Sequence, residues 1–125
     1  MTIQGLQGKR AMPPKIQTIL TELRRRCEAL YGERLVRMVL FGSQARGDAE
    51  PSSDIDVMVV LRGPVAPGDE IARTSEIKAA LSLQYDVVIS CTYVSADRYV
   101  TERSPLLLNV RREGVEIYET CESRV

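Results

Sequence analysis

Two aspartates at a spacing of two, Asp54 and Asp56, follow a short polar loop after the run Leu40-Phe41-Gly42-Ser43-Gln44-Ala45-Arg46-Gly47. They stand at the head of an apolar segment that reads as a strand, so both carboxylates project from one face. At about 3.3 Å rise per residue their Cα atoms are roughly 6–7 Å apart. Two carboxylates so placed repel unless a cation lies between them. Hard cations such as Mg²⁺ take oxygen ligands and complete their shell with substrate phosphates. The Gly42–Ser43 turn upstream offers backbone N–H groups and a hydroxyl, which suit a phosphate chain. Together the two features predict a metal–nucleotide site.

Other chemistries are excluded by composition or by spacing. The chain has no histidine, which rules out Ser-His-Asp and Cys-His machinery, a His-ligated zinc and an imidazole base. Gly42 and Gly47 have the spacing of a Walker A loop, but Asp48 and Ala49 stand where Lys and Ser/Thr are required. A calcium loop starting at Asp54 would need glycine and glutamate where Val59 and Val65 stand.

The elements that must position the pair follow from the apolar pattern. Residues 1–12 lack periodicity and read as a loose leader. Pro13-Pro14 opens a helix whose stripe is Ile16, Ile19, Leu20, Leu23, Cys27 and Leu30, and Gly32 ends it. Leu35 to Phe41 and Ile55 to Leu61 read as buried strands. Arg62 to Gly68 is a loop, and Asp69 caps a helix through about Leu83 carrying Ile71, Ile77, Ala80 and Leu81. A third strand is expected over Tyr85-Asp86-Val87-Val88-Ile89-Ser90. A turn capped by Ser95 or Asp97, a helix from Ser104-Pro105 through Arg112, and a final strand from Val115 to Tyr118 complete the order. The alternation predicts an α/β fold, a small mixed β-sheet with helices packed against it. One domain is expected over 13–120, with a tail at 121–125.

The run G-S-x-A-R-G, five residues, then S-D-x-D-x-x-V resembles the signature of the minimal nucleotidyltransferases (MNT) of the DNA polymerase beta-like superfamily. Gly42, Ser43, Ala45, Arg46, Gly47, Ser53, Asp54, Asp56 and Val59 fall on it. Arg112-Glu113-Gly114-Val115-Glu116-Ile117-Tyr118 looks like the family's closing strand, so the resemblance runs from about residue 15 onward. It implies Mg²⁺-dependent nucleotidyl transfer, with two ions and ATP as substrate. Asp54 and Asp56 would hold metal. Asp86, the acidic residue entering the third strand, would be the third ligand and take the proton of the acceptor hydroxyl. Gly42, Ser43, Arg46 and Ser53 would serve the nucleotide, with Arg46 either orienting phosphate or facing solvent.

Small members of this family are typically antitoxins paired with a helical HEPN ribonuclease toxin, which they silence by transferring AMP to a tyrosine. The resemblance therefore implies a toxin partner, in a homo- or hetero-oligomer. Two other readings stand beside it: modification of a small molecule such as an aminoglycoside, and a non-catalytic antitoxin that binds and occludes. Capping by a lone aspartate does not account for two carboxylates on one face, and occlusion does not require them.

Charge and cysteine usage bound the setting. Seventeen basic and seventeen acidic residues cancel, which removes the footprint of a protein that grips nucleic acid by its phosphates. The triple arginine Arg24-Arg25-Arg26 reads as a solvated helix face. Cys27, Cys91 and Cys121 are odd in number with no metal-binding spacing, and no apolar run is long enough to span a bilayer. A cytoplasmic protein is expected. The five tyrosines read as packing residues, although an exposed one could be an acceptor.

Overall fold

The computed structural model describes residues 12–47 and 54–119. Helix α1 (Pro14–Tyr31) is followed by a single 3-10 turn and strand β1 (Leu35–Phe41). A four-residue helix α2 (Ser43–Arg46) precedes β2 (Ile55–Leu61) and α3 (Pro67–Tyr85). Then come β3 (Ile89–Ser95), α4 (Ala96–Thr101), α5 (Pro105–Glu113) and β4 (Val115–Glu119). The sheet order is β3-β2-β1-β4, with β1 antiparallel to both neighbours and β2 parallel to β3. This is the small mixed sheet of an α/β fold that the alternation predicts.

Two apolar layers cover the sheet. Ile55, Val57, Val59 and Leu61 point into one cluster with Ile16, Ile19, Leu20, Leu23 and Cys27 of α1 and Leu81 of α3. Met58 and Val60 point the other way, against Val94, Tyr99, Leu107 and Val110. Because the strands alternate, Asp56 shares a face with Met58 and Val60, the α4/α5 side. Burying such side chains supplies roughly 1.5–3 kcal/mol each, which fixes the register of β2 and hence the face its aspartates occupy.

Several expected boundaries move. Met12, assigned to the leader, is buried in the core and accepts a hydrogen bond from Gln17 Nε2, so it belongs to the fold. The rest of the leader and the tail at 121–125, with Cys121, lie outside the described residues. Leu30 is exposed, and Tyr31 takes the inward position at the end of α1. Helix α3 starts at Pro67, with Asp69 inside its first turn rather than at its cap. The polar turn expected after β3 is the helix α4, whose Ser95 cap accepts from the Arg98 amide.

The third strand differs most. Helix α3 continues through Tyr85, and Asp86 closes it in the left-handed conformation with φ 55°. Its amide donates to the Ser82 carbonyl, as does that of Val87. The strand therefore begins at Ile89, four residues later than expected, and Asp86 stands outside it. Aspartate tolerates the left-handed region better than most residues, so it can end a helix where glycine is the commoner choice.

Helix α3 also buries charge that its pattern does not reveal. Glu70 and Thr74 are fully buried while Ile71 is exposed. Tyr31 donates to Glu70 Oε1 at 2.9 Å, and Arg34 and Arg73 each lie 3.3 Å from its carboxylate. Thr74 Oγ1 and the Tyr93 hydroxyl are hydrogen-bonded. Buried charge persists only when paired and hydrogen-bonded, and this network ties α3 to the end of α1 and the start of β1.

Candidate active site

The site is built at the end of β1 and the beginning of β2, which antiparallel pairing brings side by side. Phe41 is the partner of Asp56 across the two strands, so Gly42, the next residue, turns directly over the aspartate. Gly42 has φ 76°. A Cβ placed on it would lie 2.6 Å from Asp56 Oδ2. Any other residue here would be strained by the backbone angle and would push the carboxylate beneath it aside.

Beyond Gly42 the chain enters α2. The Gly42 carbonyl accepts from the Ala45 and Arg46 amides, and Gly47 closes the turn at φ 81° with its amide on the Ser43 carbonyl. Ser43 is half-buried at the start of this turn, and Arg46 is exposed at its end. Ser53 lies outside the described residues.

Asp54 is exposed and Asp56 half-buried. Burial, and secondarily repulsion from Asp54, pushes the Asp56 carboxyl above the usual carboxylate range. The Asp54 charge thus bears on Asp56, as their alternation requires. That penalty on Asp56 is what a divalent cation relieves. Two oxygen-bearing side chains and the glycine cradle over one of them fit Mg²⁺ with a phosphate partner.

Among the described residues no group of three or more Asp, Glu, Cys or His side chains is arranged to hold a metal ion. The placement of Asp86 in the third strand is corrected: it is the exposed C-cap of α3 and precedes β3 by three positions. The residues that flank the pair at and just before the start of β3 are others. Ser90 is in register with Asp56, and the Ile55 amide donates to the Val88 carbonyl at 2.9 Å. Neither carries a sequence signal, since a serine and a valine at a strand start are unremarkable apart from the register. Of the tyrosines, Tyr31, Tyr93 and Tyr99 are buried, and Tyr85 and Tyr118 are partly covered.

A mixed sheet that presents paired aspartates beneath a Gly-Ser turn defines a nucleotidyl-transfer fold, and comparison with known proteins agrees. The family model described as nucleotidyltransferase domain matches residues 20–107, and the chain belongs to that family. It is a nucleotidyltransferase. A Methanocaldococcus jannaschii protein, provisionally named a protein adenylyltransferase, is 33% identical over 103 residues, which is 82% of this chain and 99% of the relative. The crystal structure of a toxin-antitoxin with AMP-PNP superimposes with TM-score 0.57 at 20% identity, over 85% of this chain and 75% of that one. A provisionally named nucleotidyltransferase from Sulfolobus solfataricus gives TM-score 0.56 at 19% identity, over 90% and 92%. At such identities these two structures establish likeness of fold. Among the described residues no helix is long and apolar enough to cross a membrane.

Proposed function

We propose that this chain transfers AMP from ATP to a hydroxyl of a partner protein, as the antitoxin of a HEPN-type toxin pair. The observation that carries the reading is the Gly42 turn set against one carboxylate of the Asp54–Asp56 pair. Asp54 and Asp56 would hold Mg²⁺. That ion would neutralise phosphate charge and polarise the phosphoryl oxygens, as metal ions do in such sites.

The chain's own groups do the positioning. The Gly42–Ser43 turn receives the β/γ end of the triphosphate, with Ser43 as hydroxyl donor and Arg46 as an exposed cation at the rim. Ser53 serves the nucleotide in this reading as well. Asp86, exposed ahead of β3, takes the proton of the attacking hydroxyl. The acceptor oxygen bonds to the α-phosphorus while the bond to the β-phosphate breaks, and pyrophosphate leaves. Catalysis of this kind rests on placement and charge stabilisation, so the absence of histidine is no obstacle.

Two further facts support a partner as acceptor. The relative named above carries the provisional name of a protein adenylyltransferase. Within the chain, three tyrosines are buried and the two others partly so, which makes them poor acceptors. Incubation with the protein encoded by the adjacent reading frame and ATP labelled on the α-phosphate should leave label on that protein, whereas γ-labelled ATP should leave none. Transfer of the γ-label, or of neither, would refute the reading.

A further inference from the structure

In-line displacement puts the attacking and leaving oxygens on opposite sides of the α-phosphorus. In the sheet order β3-β2-β1-β4, the carboxylates of β2 lie between the Gly42–Ser43 turn at the end of β1 and the start of β3. If the turn holds the leaving phosphates, as proposed above, the acceptor must arrive from the β3 side. Two side chains stand there. Ser90 is the in-register neighbour of Asp56 in the parallel pair, one strand spacing of about 4.8 Å away. Val88 is beside the start of β2, held through the Ile55 amide.

Both are exposed. Ser90 Oγ has no hydrogen-bond partner among the described residues, and Val88 leaves 58% of its surface open while its carbonyl accepts from the residue between the two aspartates. An apolar side chain bared beside paired carboxylates gains nothing until something apolar covers it. We infer that Val88 and Ser90 are acceptor-positioning residues: Val88 supplies an apolar seat and Ser90 a hydroxyl that orients the attacking oxygen. This inference rests on the nucleotidyl-transfer reading of the Asp54–Asp56 site. The tyrosine acceptor that the family resemblance already implies fits such a seat, its ring against Val88 and its oxygen toward Ser90. In the transfer the phenolic oxygen bonds to the α-phosphorus, the bridging bond to the β-phosphate breaks with its electron pair on pyrophosphate, and the phenolic proton passes to Asp86.

The test uses nitrogen-labelled full-length chain. Mg²⁺ and α,β-methylene ATP, whose α–β bridge cannot break, are added first, and then N-acetyl-tyrosinamide or N-acetyl-serinamide is titrated to millimolar concentration. The nucleotide analogue should shift the amides of Gly42 and Ser43. The tyrosine probe should then shift Val88 and Ser90, and the serine probe much less. Val88→Ser and Ser90→Ala should each weaken the tyrosine probe about tenfold, a factor that the loss of a methylene-sized contact or one hydrogen bond commonly produces, with affinity for the analogue kept within about twofold. Tyrosine-probe shifts that fall on other elements, or variants that weaken the analogue as much as the probe, would overturn the assignment. If the analogue leaves Gly42 and Ser43 unmoved, the nucleotide reading itself falls and takes the assignment with it.

Discussion

Gly42 and Asp56 touch: the space a Cβ would occupy on Gly42 is 2.6 Å from Asp56 Oδ2, and Gly42 holds φ 76°. The turn that offers backbone donors and the carboxylate that would hold the cation are thus one unit, fixed by the Phe41–Asp56 pairing.

Gly42→Ala should therefore damage both stability and binding. The left-handed backbone costs about 1–2 kcal/mol for a residue with a Cβ. The methyl group also displaces the Asp56 carboxylate, and a misplacement near 1 Å can cost about a hundredfold in rate. We expect a lower melting temperature and at least a tenfold loss of Mg²⁺–AMP-PNP affinity by calorimetry. Wild-type affinity in the variant would show that the contact is incidental.

The Glu70 network should behave differently. Glu70→Ala leaves the Tyr31 hydroxyl and the Arg34 and Arg73 guanidinium groups without their carboxylate. Both arginines are partly exposed and can turn to water, so the cost is about 1–3 kcal/mol rather than that of a fully buried charge. The network sits at the start of β1, whereas Gly42 follows its end, so nucleotide affinity should hold while the denaturation midpoint falls. A parallel loss of affinity would mean that the two ends of the strand are coupled.

Alkaline pH should destabilise the fold. Burial pushes the Cys27 thiol from 9.0 up to about 12, with Cys91 adding to the shift. Burial likewise raises the Tyr31, Tyr93 and Tyr99 phenols, and the hydrogen bond to Glu70 raises Tyr31 further. The folded state keeps protons that the unfolded chain releases, so stability is full below about pH 9 and falls as pH rises toward 12, by up to ~1.4 kcal/mol per pH unit for each group. Melting temperatures measured from pH 7 to 11 should drop above 9, and Cys27 should resist alkylation at pH 8 until urea unfolds the chain. A flat profile, or rapid alkylation of native protein at Cys27, would contradict the burial.

Much of this was legible in the residues, and the failures have definite causes. The stripe of α1 and the continuous apolar runs of β1 and β2 are strong signals because those elements are buried on the faces the pattern names. The Gly-Ser turn and the aspartate pair are local, and a few residues suffice to place them. The start of β3 is not local. A helix that ends on a left-handed aspartate gives no glycine cue, and Ser90 and Thr92 interrupt the apolar run of the strand that follows. Asp86 therefore reads as a strand residue in the sequence and is a helix cap in the fold. Glu70 is illegible for another reason: two of its three side-chain partners, Tyr31 and Arg34, lie 39 and 36 residues away.

Asp86 remains the residue whose role chemistry alone decides. If it takes the acceptor proton, Asp86→Asn should lower the transfer rate by about 10²–10⁴ with AMP-PNP affinity little changed. Single-turnover assays with α-labelled ATP would measure it. An unchanged rate would return the proton to the Asp54–Asp56 pair.

The central claim is that Asp54 and Asp56 make a cation-dependent nucleotide site, and calorimetric titration with AMP-PNP tests it most directly. Wild type should bind with Mg²⁺ and far more weakly without it, and at a hundredfold excess over Kd the ligand should stabilise the fold by about 2.7 kcal/mol. The double variant Asp54→Asn, Asp56→Asn should remain folded and lose the Mg²⁺-dependent affinity. Equal binding by the double variant, or binding by wild type that ignores Mg²⁺, would contradict the account.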